Sequence, residues 1–79
     1  MHTMNEQRVI KTLEAHGCSW RDYILLGEPP HVSICRWSPG LSALVIEDDT
    51  LYREAIEFLT QQGARRFANQ SEVERAFAK

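Results

Sequence analysis

The sequence predicts a single small α+β domain over residues 1–79, in the order α-β-β-β-α-(β)-α. Its expected core is an antiparallel sheet of three or four strands packed against a central helix, residues 49–62. Two observations lead to this class. Short runs of branched and aromatic residues, separated by turn residues, are typical of a β-meander. The segments on either side carry apolar residues at a period of 3.6, which indicates amphipathic helices.

The segment 41–63 is predicted to form the centre of the domain, as a strand that leads into the central helix. Residues 43–46 are apolar on both faces of this strand, which favours a central strand covered on both sides. Asp48 or Asp49 is expected to cap the helix, and Gly63 to end it. The apolar stripe of the helix consists of Leu51, Tyr52, Ala55, Ile56 and Leu59, with Phe58 at its flank.

The first helix is predicted over residues 4–16. Thr3 and Glu6 fit the capping-box pattern at its start, and Gly17 ends it. Its apolar face is short, so we expect it to contribute less to the core than the central helix. The main members of that face are Val9, Ile10 and Leu13.

Three strands are predicted over 20–26, 32–37 and 41–47. The connections 27–30 and 38–40 are short and contain proline, which interrupts a strand because it lacks the ladder N–H. Short connections favour antiparallel pairing.

The C-terminal part is predicted to contain an edge strand at 64–68 or, alternatively, an extended linker. The edge strand is favoured, with Phe67 pointing inward. A short helix over 71–78 follows, capped by Ser71 or by Asn69. Its expected core residues are Val73, Ala76 and Phe77.

Composition narrows the functional classes. The net charge is −2, which gives no general attraction to nucleic acid or to anionic membranes. No apolar run is long enough to cross a membrane, and residues 1–4 lack the features of a signal peptide. Two cysteines, Cys18 and Cys35, without a secretion signal suggest reduced thiols. We therefore expect a cytoplasmic protein without a membrane partner.

The order helix–strand–strand–strand–helix resembles that of the double-stranded-RNA-binding domain. That family presents lysines at the start of its second helix to hold phosphates. This chain has Glu47, Asp48 and Asp49 there, so the element order alone assigns no family.

Three residue sets contain side chains suited to metal binding or catalysis, but none of them requires such a site. His31, Cys35 and Cys18 lack the close paired spacing of a zinc site. Cys35 and His31 would lie about 13 Å apart along a strand at 3.3 Å per residue, too far for a nucleophile and base. The acidic set is explained by helix capping and solvation. Its members are Glu47, Asp48, Asp49, Glu54 and Glu57. No metal, cofactor or catalytic residue is predicted.

The strongest candidates for interaction are aromatic and arginine residues on the first two strands. They are Trp37, Arg36, Tyr23, Trp20 and Arg21. They could fill the core, form a protein interface, or stack on single-stranded nucleic acid. Val32 and Ile34 are the more apolar pair of the second strand, so they are placed inward. Trp37 and Cys35 then lie on the opposite face, which we expect to be open for contact.

The expected function is a non-enzymatic protein-interaction or regulatory module that binds a protein partner or forms a homodimer. The alternative is a weak nucleic-acid-binding module that uses the aromatic and arginine residues. A third possibility is an enzyme built on Cys35.

Overall fold

The computed structural model describes residues 4–37 and 40–78, with the backbone alone for Met4, Asn5 and His16. This part of the chain confirms the α+β class and the predicted element order. The helices are α1 (Met4–Leu13), α2 (Asp49–Gln61) and α3 (Gln70–Phe77). The strands are β1 (Tyr23–Leu26), β2 (Ser33–Trp37), β3 (Leu41–Ala43) and β4 (Arg66–Phe67). The predicted cap at Thr3 and the turn at 38–39 lie outside the described residues.

The sheet is mixed, not purely antiparallel as predicted. Its strand order is β3-β2-β1-β4. β2 pairs antiparallel with both β1 and β3, as the short connections predicted. β4 confirms the predicted edge strand but runs parallel to β1, with Leu25 opposite Arg66 and Leu26 opposite Phe67. The long connection through α2 carries the chain to the far edge of the sheet, and such a crossover permits parallel pairing.

The prediction of a central, doubly covered strand at 41–47 is wrong. β3 is a three-residue edge strand, and Val45 is 79% exposed. Leu44 donates one further backbone hydrogen bond to the Ile34 carbonyl, at 2.8 Å. The Ile34 N–H is bonded instead to the Tyr52 hydroxyl of α2, also at 2.8 Å. The helix side chain therefore takes the place of a longer β3, and β1 and β2 form the centre.

One face of the sheet packs against α1 and α2 and forms the larger core cluster. Its buried members are Val9, Leu13, Tyr23, Leu25, Ile34, Leu44, Ala55, Phe58 and Leu59. The inward placement of Ile34 is thus confirmed. Among the described residues α1 buries Val9 and Leu13, at 2% and 0% exposed, whereas α2 buries three residues, so the first helix is the smaller contributor, as expected. Phe58, placed at the flank of the α2 stripe, is buried as well.

The ends of α2 follow the predicted local chemistry. Asp48 is the N-cap, and its Oδ1 accepts a hydrogen bond from the Leu51 N–H at 3.1 Å. Gly63 has a φ of 83°, the left-handed conformation that glycine adopts without strain. The Gly63 N–H bonds the Thr60 carbonyl and the Ala64 N–H bonds the Leu59 carbonyl, which is the Schellman pattern.

The opposite face packs against α3 and forms the smaller core cluster, whose buried members are Ile24, Cys35, Phe67 and Val73. The predicted C-terminal helix is confirmed, with the alternative cap Asn69: its Oδ1 accepts from the Glu72 N–H at 3.0 Å. Trp37 and Cys35 do lie on this face, but the expectation that it is left open is wrong. α3 covers it, and Cys35 is only 2% exposed.

The first strand begins three residues later than predicted. Trp20–Asp22 forms a 3₁₀ turn, and the Ser19 hydroxyl oxygen accepts a hydrogen bond from the Arg21 N–H at 3.2 Å. Serine at this position competes with strand pairing by bonding the local backbone. Trp20 is therefore outside the sheet and packs beside the larger cluster.

Candidate functional site

An open groove of about 680 Å³ lies at the end of the sheet where β1 begins and β2 ends. All five predicted interaction residues line it. Arg36 and Trp37 are neighbours on β2, so their side chains point to opposite faces. The groove consequently wraps around the sheet end and takes residues from both faces. The remaining lining residues are Asp22, Ile24, Gln62, Gly63, Ala64, Arg65 and Phe77.

Trp20 and Arg21 form one side of the groove. The Trp20 ring packs edge-on against Phe58 of α2, with centroids 5.1 Å apart. The Arg21 guanidinium carbon lies 4.5 Å from the centroid of the Trp20 ring. Trp20 is half-buried, so it fills the core on one side and supports a cation on the other.

Trp37 and Phe77 form the other side. Their rings stack at 5.9 Å and 18°. Phe77 also meets Phe67 edge-on at 5.9 Å. Phe77 is 37% exposed because it ends α3, while Trp37 is half-buried. This aromatic row joins the smaller core cluster to the groove surface.

Tyr23 contributes mainly to the core. It is 5% exposed, and its hydroxyl donates to the Leu13 carbonyl at 2.9 Å and accepts from the Cys18 thiol at 3.3 Å. Burial, followed by the Cys18 hydrogen bond, raises the pKa of Tyr23 to about 12, and the charge of Arg36 acts in the opposite direction. Arg36 lies directly across from Tyr23 in the β1–β2 pair.

Arg65 is a groove residue that the sequence reasoning missed. The Arg65 guanidinium carbon lies 4.9 Å from the Phe67 centroid and 5.5 Å from the Phe77 centroid. A signal was present, because residues two apart in an extended segment point to the same side. That spacing relates Arg65 to Phe67, whereas the exposed Arg66 does not line the groove among the described residues.

The groove carries a charge opposite to that of the whole chain. Three arginines line it, Arg21, Arg36 and Arg65, against one described carboxylate, Asp22. The chain as a whole carries −2. Within 4–37 and 40–78, no ion pair neutralises any of these three guanidiniums. The groove is therefore a local cationic site beside aromatic rings.

The other candidate sites from the sequence lie outside the described lining of the groove. Cys35 is buried beneath α3, and burial raises the pKa of its thiol, opposite to the lowered pKa that activates a nucleophilic cysteine. His31 is exposed in the segment before β2. Within the described chain, no three His, Cys, Asp or Glu side chains converge as a metal site. Glu47, Asp48 and Asp49 are exposed, and Asp48 caps α2.

None of the described helices is long and apolar enough to cross a membrane. No protein-family model matches the chain, and no match was found among curated proteins or solved structures. The groove geometry is therefore the basis for inferring a function.

Proposed function

We propose that the chain is a non-enzymatic protein-binding module and that the groove is its binding site. One observation carries this proposal. Three arginines, which have no ion-pair partners among the described residues, line the same groove as partly exposed aromatic rings. Arginine and tryptophan are enriched at the energetic centres of protein interfaces. Guanidiniums held on ring faces also lose less side-chain freedom when they bind than free arginines do.

The chemistry of the lining residues supports binding over reaction. The guanidiniums remain protonated at physiological pH and serve as hydrogen-bond donors. The raised pKa of Tyr23 keeps its hydroxyl neutral, and that hydroxyl already bonds Leu13 and Cys18. Cys35 lies in the buried cluster under α3, outside the described lining of the groove.

The two thiols support a reducing compartment, and we place the protein in the cytoplasm. Both cysteines are free. Cys18 packs beside the larger cluster, whereas Cys35 belongs to the smaller one on the other face. Free thiols are typical of proteins kept in a reducing environment.

A second candidate function is weak binding of single-stranded nucleic acid, which the same arginine and aromatic residues favour. It ranks second for two reasons. Phe77 stacks on Trp37 and Arg21 packs on Trp20, so part of the ring surface on which bases would stack is already occupied. The net charge of −2 also opposes a polyanion at long range. A salt-dependent mobility shift of labelled oligo-dT would support this candidate.

The protein-binding function is tested by affinity capture from the cells in which the chain is naturally made. The baits are the wild type, Arg36→Gln and Arg66→Gln. Arg66 is an exposed arginine outside the described groove lining, so it is a matched control. We expect a partner that is retained by the wild type and by Arg66→Gln and is lost with Arg36→Gln. The partner is then purified, and its affinity for each bait is measured.

Two results would overturn the proposal. Equal binding of the purified partner to all three baits would place the interface elsewhere on the molecule. Turnover of a small-molecule substrate by the wild type, lost in Arg36→Gln, would make the groove an active site. Thermal melts of each bait show whether a lost interaction reflects unfolding.

A further inference from the structure

The arginines of the groove come from three separate parts of the chain. Arg21 lies in the turn before β1, Arg36 on β2, and Arg65 just before β4. Aromatic contacts hold two of them: Trp20 supports Arg21, and Phe67 with Phe77 supports Arg65. The cations are thus distributed along the groove on supported side chains.

The apolar part of the groove lies beside these cations. Phe77 is 37% exposed and stacks on the half-buried Trp37. A ligand in this groove would meet both guanidinium donors and ring surface. An extended peptide with acidic and apolar side chains offers both kinds of contact, because its successive side chains point in different directions.

Charge complementarity identifies the class of ligand. Carboxylates form charge-assisted, often bidentate, hydrogen bonds with arginine. The described groove lining has an excess of two positive charges on a chain of net charge −2. An acidic segment would be attracted to the groove and repelled by the exposed acidic residues Glu47, Asp48 and Asp49.

We propose that the groove binds an acidic, extended segment of a partner protein, whose carboxylates pair with Arg21, Arg36 and Arg65 while an apolar side chain packs on Trp37 and Phe77. This inference rests on the proposed protein-binding function and specifies the chemistry of the partner. Binding changes the surroundings of Trp20 and Trp37, the two tryptophans of the chain.

The experiment uses the full chain and a fluorescein-labelled peptide that alternates Asp or Glu with Phe or Leu. A second peptide replaces every Asp and Glu by Asn and Gln, and labelled oligo-dT is the third probe. Binding is followed by fluorescence polarisation and by intrinsic tryptophan emission. We expect the acidic peptide to bind at least about tenfold more tightly than its amide counterpart, because hydrogen bonds to charged groups are the stronger ones.

Single substitutions locate the site. Arg36→Gln and Arg65→Gln should each weaken binding of the acidic peptide about tenfold. Arg66→Gln, next to Arg65 in sequence and outside the described groove lining, should change it less than about twofold, as a peripheral charge does. Circular dichroism melts confirm that each variant is folded.

Several outcomes would overturn the inference. Equal affinity for the amide peptide, or no binding of the acidic one, would refute acidic recognition and leave the capture experiment to decide whether the groove binds protein. If Arg66→Gln weakened binding of the acidic peptide as much as Arg36→Gln and Arg65→Gln, the peptide would be held by the general positive charge of the surface and not by the groove. Tighter, salt-dependent binding of oligo-dT would favour nucleic acid. A dimer in sedimentation that Arg36→Gln dissociates would make a second copy the occupant.

Discussion

The two faces of the sheet are covered to different depths. Two helices cover one face, and nine described residues are buried there. A single eight-residue helix, α3, covers the other, where four are buried. The thinner layer ends at Phe77, which is 37% exposed at the edge of the groove. Stability is thus concentrated on the face of α1 and α2, while the surface available for contact lies where the cover of α3 ends.

The largest expected effect comes from the deeper cluster. Leu59 is 0% exposed in α2, so Leu59→Ala should lower the free energy of unfolding by about 3–5 kcal/mol. That is a large part of the roughly 4–12 kcal/mol expected for a chain of this length. Ile56, on the same predicted stripe, is half-buried, so Ile56→Ala should cost about 1–2 kcal/mol. Urea denaturation measures both, and equal losses would contradict the burial difference.

The Tyr23 hydroxyl provides a pH test of the same cluster. Its pKa is about 12 in the folded protein against 10.0 ordinarily, so folding favours the neutral phenol. This contribution is complete below pH 10 and is lost as the pH rises from 10 to 12. The loss should reach no more than about 3 kcal/mol, at 1.36 kcal/mol per pKa unit.

Urea denaturation across this pH range measures the loss, and tyrosinate absorbance follows the ionisation. Tyr23→Phe should be less stable at neutral pH, because the Leu13 carbonyl loses its donor. It should also lack most of the decline at high pH. A decline as steep as that of the wild type would assign it to other groups.

Local patterns predicted local structure well. The capping residues Asp48 and Asn69, the glycine end of α2 and the period of its apolar stripe depend on contacts within a few residues. The position of β3 in the sheet depends instead on contacts with distant segments. Residues 43–46 have the composition of a central strand, yet Val45 is 79% exposed. The Tyr52 hydroxyl bonds the Ile34 N–H, and no pattern within 43–46 encodes that contact.

The same distinction holds for the groove. Its five predicted residues do line one groove, but the sequence analysis placed all five on the first two strands and expected Trp37 on an open face. Trp20 left the sheet because Ser19 starts a 3₁₀ turn, and Tyr23 turned inward to bond Leu13. Arg65 was missed because its ring contacts join the segment before β4 to the end of α3. Such contacts between distant segments arise only from the tertiary fold.

A substitution in the smaller cluster should open α3 locally, but it should lower the free energy of unfolding less than a substitution in the larger cluster. Val73 is 0% exposed beneath α3, so Val73→Ala should lower the free energy of unfolding by about 2 kcal/mol. Hydrogen exchange should accelerate in α3 more than in α2, because the substitution removes two methyl groups from one of the four buried residues of the smaller cluster. A loss as large as that of Leu59→Ala, with uniform exchange, would show that the two faces form one cooperative core.

The smallest expected effects come from the two helix caps, which compare the faces without altering either core. Asp48→Ala and Asn69→Ala should each cost about 1 kcal/mol, because each removes the side-chain oxygen that accepts a first-turn N–H. Asp49→Ala is the control: Asp49 lies in the first turn of α2, and its charge near the helix dipole is worth about 0.5 kcal/mol.

The two cap variants should differ in where the helix opens. α2 has thirteen residues and buries Ala55, Phe58 and Leu59, so Asp48→Ala should fray only its first turn. α3 has eight residues and buries Val73 alone among those described, so Asn69→Ala should raise hydrogen exchange along the whole helix. Whole-helix opening would also expose Trp37, which stacks on Phe77 at the end of α3. Fluorescence quenching of Trp37 in a Trp20→Phe background measures this exposure. If Asp48→Ala increased the quenching of Trp37 as much as Asn69→Ala, α3 would be no easier to open than α2, and the proposed difference between the two faces would be wrong.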